Sequence, residues 1–171
     1  MMKDFHRSTS EGRVAGLHRA PRAFLPMRSF PELKLIAGKG VEGDRYASRE
    51  GYLTEKLEGL GVTDTRQVTL FEEETLQMLF NQHGIVIGME EHRRNVTTRG
   101  IDLPSLAGKR FRVGEAILLG FATTPCKHIE EMIGKRIVPI LMHSPGLNAR
   151  IVVPGVIRVD DVIQVLPDQS V

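Results

Sequence analysis

The sequence predicts a mainly β fold, a β-rich α+β chain that is most simply a β-barrel with two or three helices packed at its ends. Its 17 glycines and 9 prolines are spread along the chain, which is typical of many short connections between strands. The C-terminal segment ARIVVPGVIRVDDVIQVL is rich in β-branched residues and contains turn dipeptides, as expected for a compact meander. One long segment has clear helical spacing. Together these features favour a small barrel.

The strands are expected in the following order. GRVAGLHRAP predicts a first strand that ends at Pro21, and the proline-containing segment after it predicts an extended connection. LKLIAGKGVEGDRYA predicts a strand followed by turns, and residues 48–64, which mix glycine with charge, predict a long mobile loop. RQVTL predicts a strand, and KRFRVGEAILLGFATTP predicts two strands around Gly114.

Two helices follow from capping and spacing. In FEEETLQMLFNQHG, three glutamates place negative charge at a helix N-terminus, apolar residues recur at helical spacing, and Gly84 is a suitable C-cap. A shorter helix is predicted over residues 126–133, with Thr124 as its N-cap, Pro125 at its first position and Gly134 after its end.

Length and composition predict one domain over residues 12–171, preceded by a flexible N-terminus at 1–11. Hydrophobic residues at 41% and charged residues at 26% are typical of a soluble globular protein. The formal net charge of +2 gives no reason to expect a nucleic-acid partner. A single cysteine excludes an intrachain disulfide, and the lack of a signal-like or membrane-spanning apolar run predicts a cytoplasmic protein without a membrane partner.

Cys126 lies in the segment TTPCKH. In the first turn of the predicted helix it would face the positive end of the helix dipole, with Lys127 and His128 next to it in sequence. Each of these factors favours the thiolate, which is the form that attacks sulfur or binds a soft metal. The alternative is an inert buried cysteine, because Cys126 shares helical spacing with Ile129 and Ile133. The histidines are scattered along the chain and do not predict a zinc site.

Two further segments carry polar groups suited to an anionic ligand. Arg93 and Arg94 can contact phosphate through two nitrogens each, and Asn95 and Thr97 can add neutral hydrogen bonds. The alternative is a solvated strand and loop with the preceding glutamates as partners. In GVEGDRYA, Asp44 follows a glycine turn, where it either meets a ligand or hydrogen-bonds its own backbone.

Five segments, taken in order, resemble the MOSC family, the domain named for the C-terminus of molybdenum cofactor sulfurase. They are GVEGDRYA, RQVTLFEEE, RRNVTT with LAGKRFRVGEAIL, TTPCKHIEEM and GLNARIVVPGVIRVDDVIQV. The resemblance covers roughly residues 12–166, and the stand-alone bacterial members are most similar. It implies a mixed or antiparallel β-barrel similar to the small barrel domain of pyruvate kinase, with a few peripheral helices. The chain departs from the family at Asp160-Asp161, where Gly-Asp is usual, so a different turn shape is expected there.

The resemblance also implies a site. Cys126 matches the family's cysteine, which is proposed to carry sulfur as a persulfide or to contact molybdenum. Arg94, Asn95 and Thr124 fall where related proteins hold the phosphate and dithiolene end of molybdenum cofactor (molybdopterin). The resemblance adds Lys127, Arg66 and Arg150 as cofactor-binding residues, and side-chain chemistry adds Thr97 and Asp44.

These residues lead us to expect a sulfur carrier. A cysteine desulfurase-type partner would deliver sulfur to Cys126, and the persulfide would pass its outer sulfur to molybdenum cofactor or to another metal-sulfur acceptor, such as a molybdoenzyme. No pyridoxal phosphate site is identifiable within the chain. One alternative is a molybdenum-cofactor-dependent reductase of N-hydroxylated compounds in which Cys126 is the metal ligand. Another is a non-catalytic barrel that binds an anion or a protein and has an inert thiol.

Overall fold

The computed structural model describes residues 7–48, 66–125 and 127–168. The strands are β1 (Glu11–Arg19), β2 (Arg28–Ser29), β3 (Glu32–Ile36), β4 (Gly40–Val41), β5 (Val68–Glu72), β6 (Val96–Arg99), β7 (Arg110–Val113), β8 (Ala116–Phe121), β9 (Leu147–Val153), β10 (Gly155–Arg158) and β11 (Val162–Val165). The helices are α1 (Glu73–His83), α2 (Lys127–Ile133) and α3 (Val138–Leu141), with a 3₁₀ turn at Leu103–Leu106.

Seven strands form a closed barrel in the order β11, β7, β8, β9, β5, β6 and β1, because β11 also pairs with β1. β5 and β6 run parallel, with Leu70 opposite Val96, and the other neighbouring pairs of the barrel are antiparallel. Closure removes the free strand edges that would otherwise expose unpaired backbone groups. The predicted β-rich barrel with a few helices is confirmed.

Alternating burial identifies the barrel interior. Along β7 and β8, buried residues alternate with more exposed ones, as expected for strands with one face on a core. The interior is apolar, and Leu70, Phe111 and Leu118 are fully buried in it. β1 contacts both β11 and β6, and a bulge between Val14 and Gly16 adjusts its register to β6.

Helix α1 follows β5 directly, as the sequence predicts. Two glutamates lie in its first turn, near the positive end of the helix dipole. Gly84 ends the helix with a φ of 64°, and its N–H donates to the carbonyl oxygen of Phe80 at 3.0 Å. The N–H of Ile85 donates to the carbonyl oxygen of Leu79, also at 3.0 Å. This pair of bonds satisfies carbonyl groups that the helix end would leave unpaired.

A second apolar cluster joins the three helices to β5. Its buried members are Phe71, Leu79, Ile87, Ile129, Ile137 and Leu141. Because Phe71 belongs to β5 and Ile129 to α2, this cluster fixes α2 beside the barrel. The cluster thereby positions the residues that follow β8.

The N-terminal segment pairs with the barrel from Ser8, a position that the sequence analysis placed in the flexible N-terminus. The N–H of Ser8 donates to Gly100 O and the N–H of Asp102 donates to Ser8 O, both at 2.8 Å. Ser8 therefore forms a parallel bridge with Ile101, before the predicted boundary at residue 11. These contacts join residues that are distant in sequence, so no local pattern indicates them. Of the loop predicted at 48–64, residues 49–64 lie outside the described residues.

The turn at Asp160-Asp161 keeps a backbone shape that glycine would adopt. Asp160 has a φ of 72°, a left-handed conformation that aspartate tolerates better than most residues. The Asp160 N–H donates to Val14 O at 2.9 Å, and Asp161 Oδ2 accepts from the Arg158 N–H at 2.7 Å. Hydrogen bonds on both sides therefore stabilise a conformation that glycine adopts more readily than aspartate.

Candidate anion-binding cleft

A cleft of about 370 Å³ lies beside β5, between the segment after β4, the loop that leads into β6, and helix α2. Its cationic lining residues are Arg45, Arg66, Arg93, Arg94 and Lys127. Aromatic and apolar walls come from Tyr46, Phe71, Ile129, Leu141 and Pro145. Within the described ranges, no lining residue is Asp or Glu. A positive cleft of this size is suited to an anion with an apolar body.

Arg93 is the most unusual of these cations. It is 7% exposed, and its backbone has a φ of 68°, a left-handed conformation that is uncommon for a residue other than glycine. Its Nη1 donates to the carbonyl oxygen of Leu25. Its Nε and Nη2 are buried and have no hydrogen-bond partner among the described residues. Burial, followed by the charge of Arg45, lowers the pKa of Arg93 to about 10, so the group stays cationic at neutral pH.

Arg45 fixes the backbone next to this group. Its Nη2 donates to the carbonyl oxygen of Arg93 at 2.9 Å, and its Nη1 forms an ion pair with Asp44 Oδ1 at 3.1 Å. Asp44 is fully buried and also accepts from the Ala20 N–H at 3.1 Å. The ring of Tyr46 lies 4.4 Å from the Arg45 guanidinium carbon. Arg45 is therefore held in place before any ligand binds.

Two histidines and a threonine form a buried network in which His92 lines the cleft and His18 and Thr97 lie behind it. His92 Nδ1 lies 3.0 Å from the Arg94 backbone nitrogen, and His92 Nε2 lies 2.7 Å from Thr97 Oγ1. The same hydroxyl oxygen is 2.9 Å from His18 Nε2, and His18 Nδ1 is 3.0 Å from Ser29 Oγ. Burial lowers the pKa of His18 to about 4 and that of His92 well below its ordinary value. Both rings are therefore neutral at neutral pH.

The segment before α2 forms another part of the wall. Thr124 and Pro125 lie in irregular backbone, helix α2 is described from Lys127, and all three residues line the cleft. Residue 126 between them, the cysteine on which the sequence prediction centres, lies outside the described residues. His128 packs edge-on against Phe24 with ring centroids 4.2 Å apart. Burial and the nearby charge of Arg93 lower the pKa of His128.

The structure brings four of the predicted cofactor-binding residues together at the cleft: Arg66, Arg94, Thr124 and Lys127. The guanidinium carbon of Arg66 lies 4.9 Å from the Tyr46 ring centre, and Arg94 Nη1 donates to Asn148 Oδ1 at 3.4 Å. Thr124 and Lys127 are exposed.

The other four predicted residues do not line the cleft. Asp44 is engaged with Arg45, and the Thr97 hydroxyl is engaged by both histidines. Asn95 Oδ1 accepts from the backbone N–H and the hydroxyl of Thr69 at 3.1 and 3.0 Å, and its Nδ2 donates to His18 O at 3.2 Å. These three side chains are buried and support the cleft from behind. Arg150 is an exposed residue of β9, 5.9 Å from the Phe121 ring centre.

Two residues of this region are absent from the sequence prediction: His18 and His92. The sequence indicates Arg93 as a phosphate contact, but its burial, its left-handed backbone and the bond from Arg45 to its carbonyl oxygen are visible only in the structure. The two histidines are far apart in sequence, and their rings are 5.4 Å apart in the structure. No spacing rule could have paired them.

In the described residues, no group of three or more His, Cys, Asp or Glu side chains is arranged to hold a metal ion. No helix in the same ranges is long and apolar enough to cross a membrane.

Comparison with known proteins identifies relatives of the fold. The sequence matches the MOSC domain over residues 58–164, more than half of the chain. The structure is similar to the YuaD protein from Bacillus subtilis, with a TM-score of 0.75 and 21% identity over 93% of this chain and 97% of that chain. It is also similar to YiiM from Geobacillus stearothermophilus, with a TM-score of 0.67 and 11% identity over 91% of this chain and 75% of that chain. For YiiM from Escherichia coli the TM-score is 0.64 and the identity 16%, over 93% of this chain and 72% of that chain. No curated protein matches the sequence. At these identities the solved structures share the fold, and function has to be argued from the site.

Proposed function

Because the chain belongs to the MOSC domain family, we propose that it binds molybdenum cofactor in the cationic cleft and carries sulfur as a persulfide on Cys126. The observation that carries this proposal is the Arg93 guanidinium. Two of its nitrogens are buried in the cleft without a partner among the described residues. A buried cation that lacks partners is costly, and an anionic ligand would supply them.

The residues present fit the cofactor. Its phosphate requires cationic donors, which Arg93, Arg94, Arg66 and Lys127 provide with no carboxylate among the described lining residues. Its flat ring system requires apolar and aromatic walls, and Phe71 is one such wall. When bound, the molybdenum would supply a soft acceptor for sulfur. The chain's own residues bind the phosphate and orient the ring system, and Cys126 is the residue between Pro125 and Lys127, which both line the cleft.

The proposed loading step is an ordinary thiol exchange. The Cys126 thiolate attacks the outer sulfur of a persulfide on a desulfurase-type donor. The donor's sulfur–sulfur bond breaks, its cysteine leaves as a thiolate, and Cys126 becomes a persulfide without net oxidation or reduction. Lys127, the next residue in the sequence, favours the anionic form of the Cys126 thiol.

The outer sulfur leaves the Cys126 persulfide by either of two reactions. A thiolate acceptor attacks the outer sulfur, and Cys126 leaves as a thiolate. Alternatively a second thiolate attacks the inner sulfur, sulfide is released, and Cys126 is left in a disulfide with that thiol. In the second case a thiol reductant has to regenerate Cys126.

Mass spectrometry and metal analysis of protein purified from a molybdenum-replete host test the proposal. Wild type incubated with a cysteine desulfurase and cysteine should gain one sulfur atom, and Cys126→Ser should gain none. A wild type that gains no sulfur under conditions in which the desulfurase is active would rule out Cys126 as the carrier. Retention of about one molybdenum per chain, lost in Cys126→Ser and without any persulfide, would instead identify Cys126 as a metal ligand, as in the reductase alternative.

A matched pair of arginine variants tests the cleft. Arg94→Gln removes a cation from the cleft, whereas Arg150→Gln removes an exposed cation of β9 that does not line the cleft. Cofactor affinity should fall by about tenfold or more in Arg94→Gln, because a charged hydrogen bond contributes roughly 1.5–3 kcal/mol. Affinity should stay near the wild-type value in Arg150→Gln. Equal losses in the two variants would refute binding in this cleft.

A further inference from the structure

The peptide group between Arg93 and Arg94 is held at both ends by side chains. Its carbonyl oxygen accepts from Arg45 Nη2 at 2.9 Å, and its N–H faces His92 Nδ1 at 3.0 Å. No strand or helix includes this peptide. Arg93 nevertheless has a φ of 68°, a conformation that costs free energy for a residue with a side chain. The two side-chain bonds are the visible means of holding it there.

The positions of the protons follow from the hydrogen-bond geometry. The Arg94 N–H can only donate, so His92 Nδ1 is an acceptor and the proton of a neutral His92 is on Nε2. That proton points to Thr97 Oγ1. A hydroxyl can accept twice, but in the arrangement in which Thr97 both accepts and donates, its proton goes to His18 Nε2. The proton of His18 is then on Nδ1 and is donated to Ser29 Oγ. In this arrangement each of the middle groups both donates and accepts, so the bonds reinforce one another.

The second end of the peptide is held by a separate chain. Asp44 is fully buried, accepts from the Ala20 N–H and forms the ion pair with Arg45. Arg45 in turn donates to the Arg93 carbonyl oxygen. The two chains start on different parts of the fold, β1 for His18 and the turn after β4 for Asp44, and meet at one peptide.

We infer that His92 with Thr97 and His18 on one side, and Arg45 with Asp44 on the other, form a clamp that positions the Arg93 guanidinium for anion binding. His18, Thr97 and Asp44 are positioning residues, since each acts through another group, and His92, which also lines the cleft, holds the Arg94 N–H. Without the clamp, the Arg93 backbone would relax to a common conformation and its guanidinium would leave the buried site. The inference rests on the proposed binding of an anion in the cleft, and it gives a role to three buried residues that do not line the cleft: His18, Thr97 and Asp44.

The two nitrogens of His92 can be tested separately. In His92→Asn, the side-chain oxygen can take the place of Nδ1 and accept from the Arg94 N–H. In His92→Gln, the longer amide reaches the place of Nε2 and contacts Thr97, but leaves the Arg94 N–H without its acceptor. Both variants remove the ring that stacks on Phe71 at 4.8 Å, so they lose the same packing contact. Thr97→Val and Thr97→Ser form a second pair: Val replaces the hydroxyl by a methyl group at nearly constant volume, and Ser keeps the hydroxyl and loses the methyl group.

Two measurements on the full chain at pH 7.5 decide the inference. The first is the dissociation constant of inorganic phosphate by calorimetry, and the second is the hydrogen-exchange rate of the Arg94 amide by NMR. Thermal melts confirm that each variant is folded at the temperature used. We expect phosphate affinity within about threefold of wild type for His92→Asn and Thr97→Ser. The phosphate affinity of His92→Gln should fall at least about tenfold, and its Arg94 amide should exchange faster. The phosphate affinity of Thr97→Val should fall about threefold or more, as expected when a buried polar group loses its partner.

The results distinguish failure of the clamp from failure of anion binding in the cleft. Equal phosphate affinity in His92→Asn and His92→Gln would overturn the inference, as would faster Arg94 exchange without any change in affinity. If His92 variants do not fold, the Thr97 pair gives the same decision. A wild type that binds no phosphate would overturn the proposed function, while the exchange rates would still show whether His92 holds the Arg94 amide.

Discussion

Replacing Glu72 by Gln should change how the stability of the protein depends on pH. Glu72 is 1% exposed at the end of β5, and its Oε2 lies 2.5 Å from Arg7 Nη1. Its Oε1 has no hydrogen-bond partner among the described residues. Burial raises the pKa of this carboxyl group from 4.5 to about 7, and the opposing charge of Arg7 is insufficient to reverse the shift. Ionisation of Glu72 therefore opposes folding.

The sign and size of the effect follow from linkage. As pH rises above 4.5, the unfolded chain releases this proton first, so the free energy of unfolding falls until the folded pKa of about 7 is reached. At about 1.4 kcal/mol per pH unit, the loss over this window is about 3 kcal/mol. Gln cannot ionise. The stability of wild type relative to Glu72→Gln should therefore fall by about 3 kcal/mol between pH 4.5 and 7.

Urea unfolding at half-unit pH steps measures this difference, because the other titrating groups cancel between the two proteins. Glu32→Gln is a suitable control, since Glu32 is an exposed carboxylate paired with Arg158 at 3.3 Å. Such a pair contributes at most about 1 kcal/mol, so its difference curve should be nearly flat. A wild type that becomes more stable than Glu72→Gln as pH rises would refute the reasoning, because it would mean that the Arg7 ion pair outweighs burial.

Three further changes test other parts of the structure. His18 has a folded pKa of about 4, below its ordinary 6.5, so its contribution to the free energy of unfolding is complete above pH 6.5 and is lost as pH falls toward 4. Urea unfolding should show wild type losing about 3 kcal/mol of stability relative to His18→Gln across that window. A constant difference would contradict the burial of His18. Asp160→Gly should stabilise the protein by about 0.5–1 kcal/mol in thermal or urea melts, because glycine adopts the φ of 72° without strain. A destabilised variant would show that the aspartate side chain stabilises the fold by more than the strain costs. Asn95→Ala should destabilise by about 2–4 kcal/mol, because it leaves the Thr69 N–H and hydroxyl without their buried acceptor, whereas the exposed Asn81→Ala should change stability by less than about 0.5 kcal/mol.

Elements with a local signal could be predicted well. α1 begins at its glutamates and ends at Gly84 as expected, because capping and helical spacing act within a few residues. The strands on either side of Gly114 form as predicted. The C-terminal segment forms three strands, but the predicted meander was wrong, because β9 pairs with β8 and β5, β10 with β3, and β11 with β7 and β1 rather than with one another. The early pairing of Ser8 was missed, because its partners at residues 100–102 are distant in the chain.

The candidate site was predicted in part. Arg66, Arg94, Thr124 and Lys127 line the cleft, whereas Asn95, Thr97 and Asp44 lie behind it. Sequence chemistry identifies a side chain that can bind an anion, but the same amide or hydroxyl can equally bond to the protein itself. Burial decides between these roles, and burial depends on which strands become neighbours.

The sequence by itself determined a β-rich barrel, its principal helix and the concentration of cationic and polar groups in a few short segments. These properties depend on backbone preferences and on residue spacing within one element. The tertiary structure alone decided that Arg93 is buried with unpartnered nitrogens, that two distant histidines share the Thr97 hydroxyl, and that Arg45 holds the Arg93 carbonyl. Each of these contacts joins different elements, so it exists only once the strands have closed into a barrel.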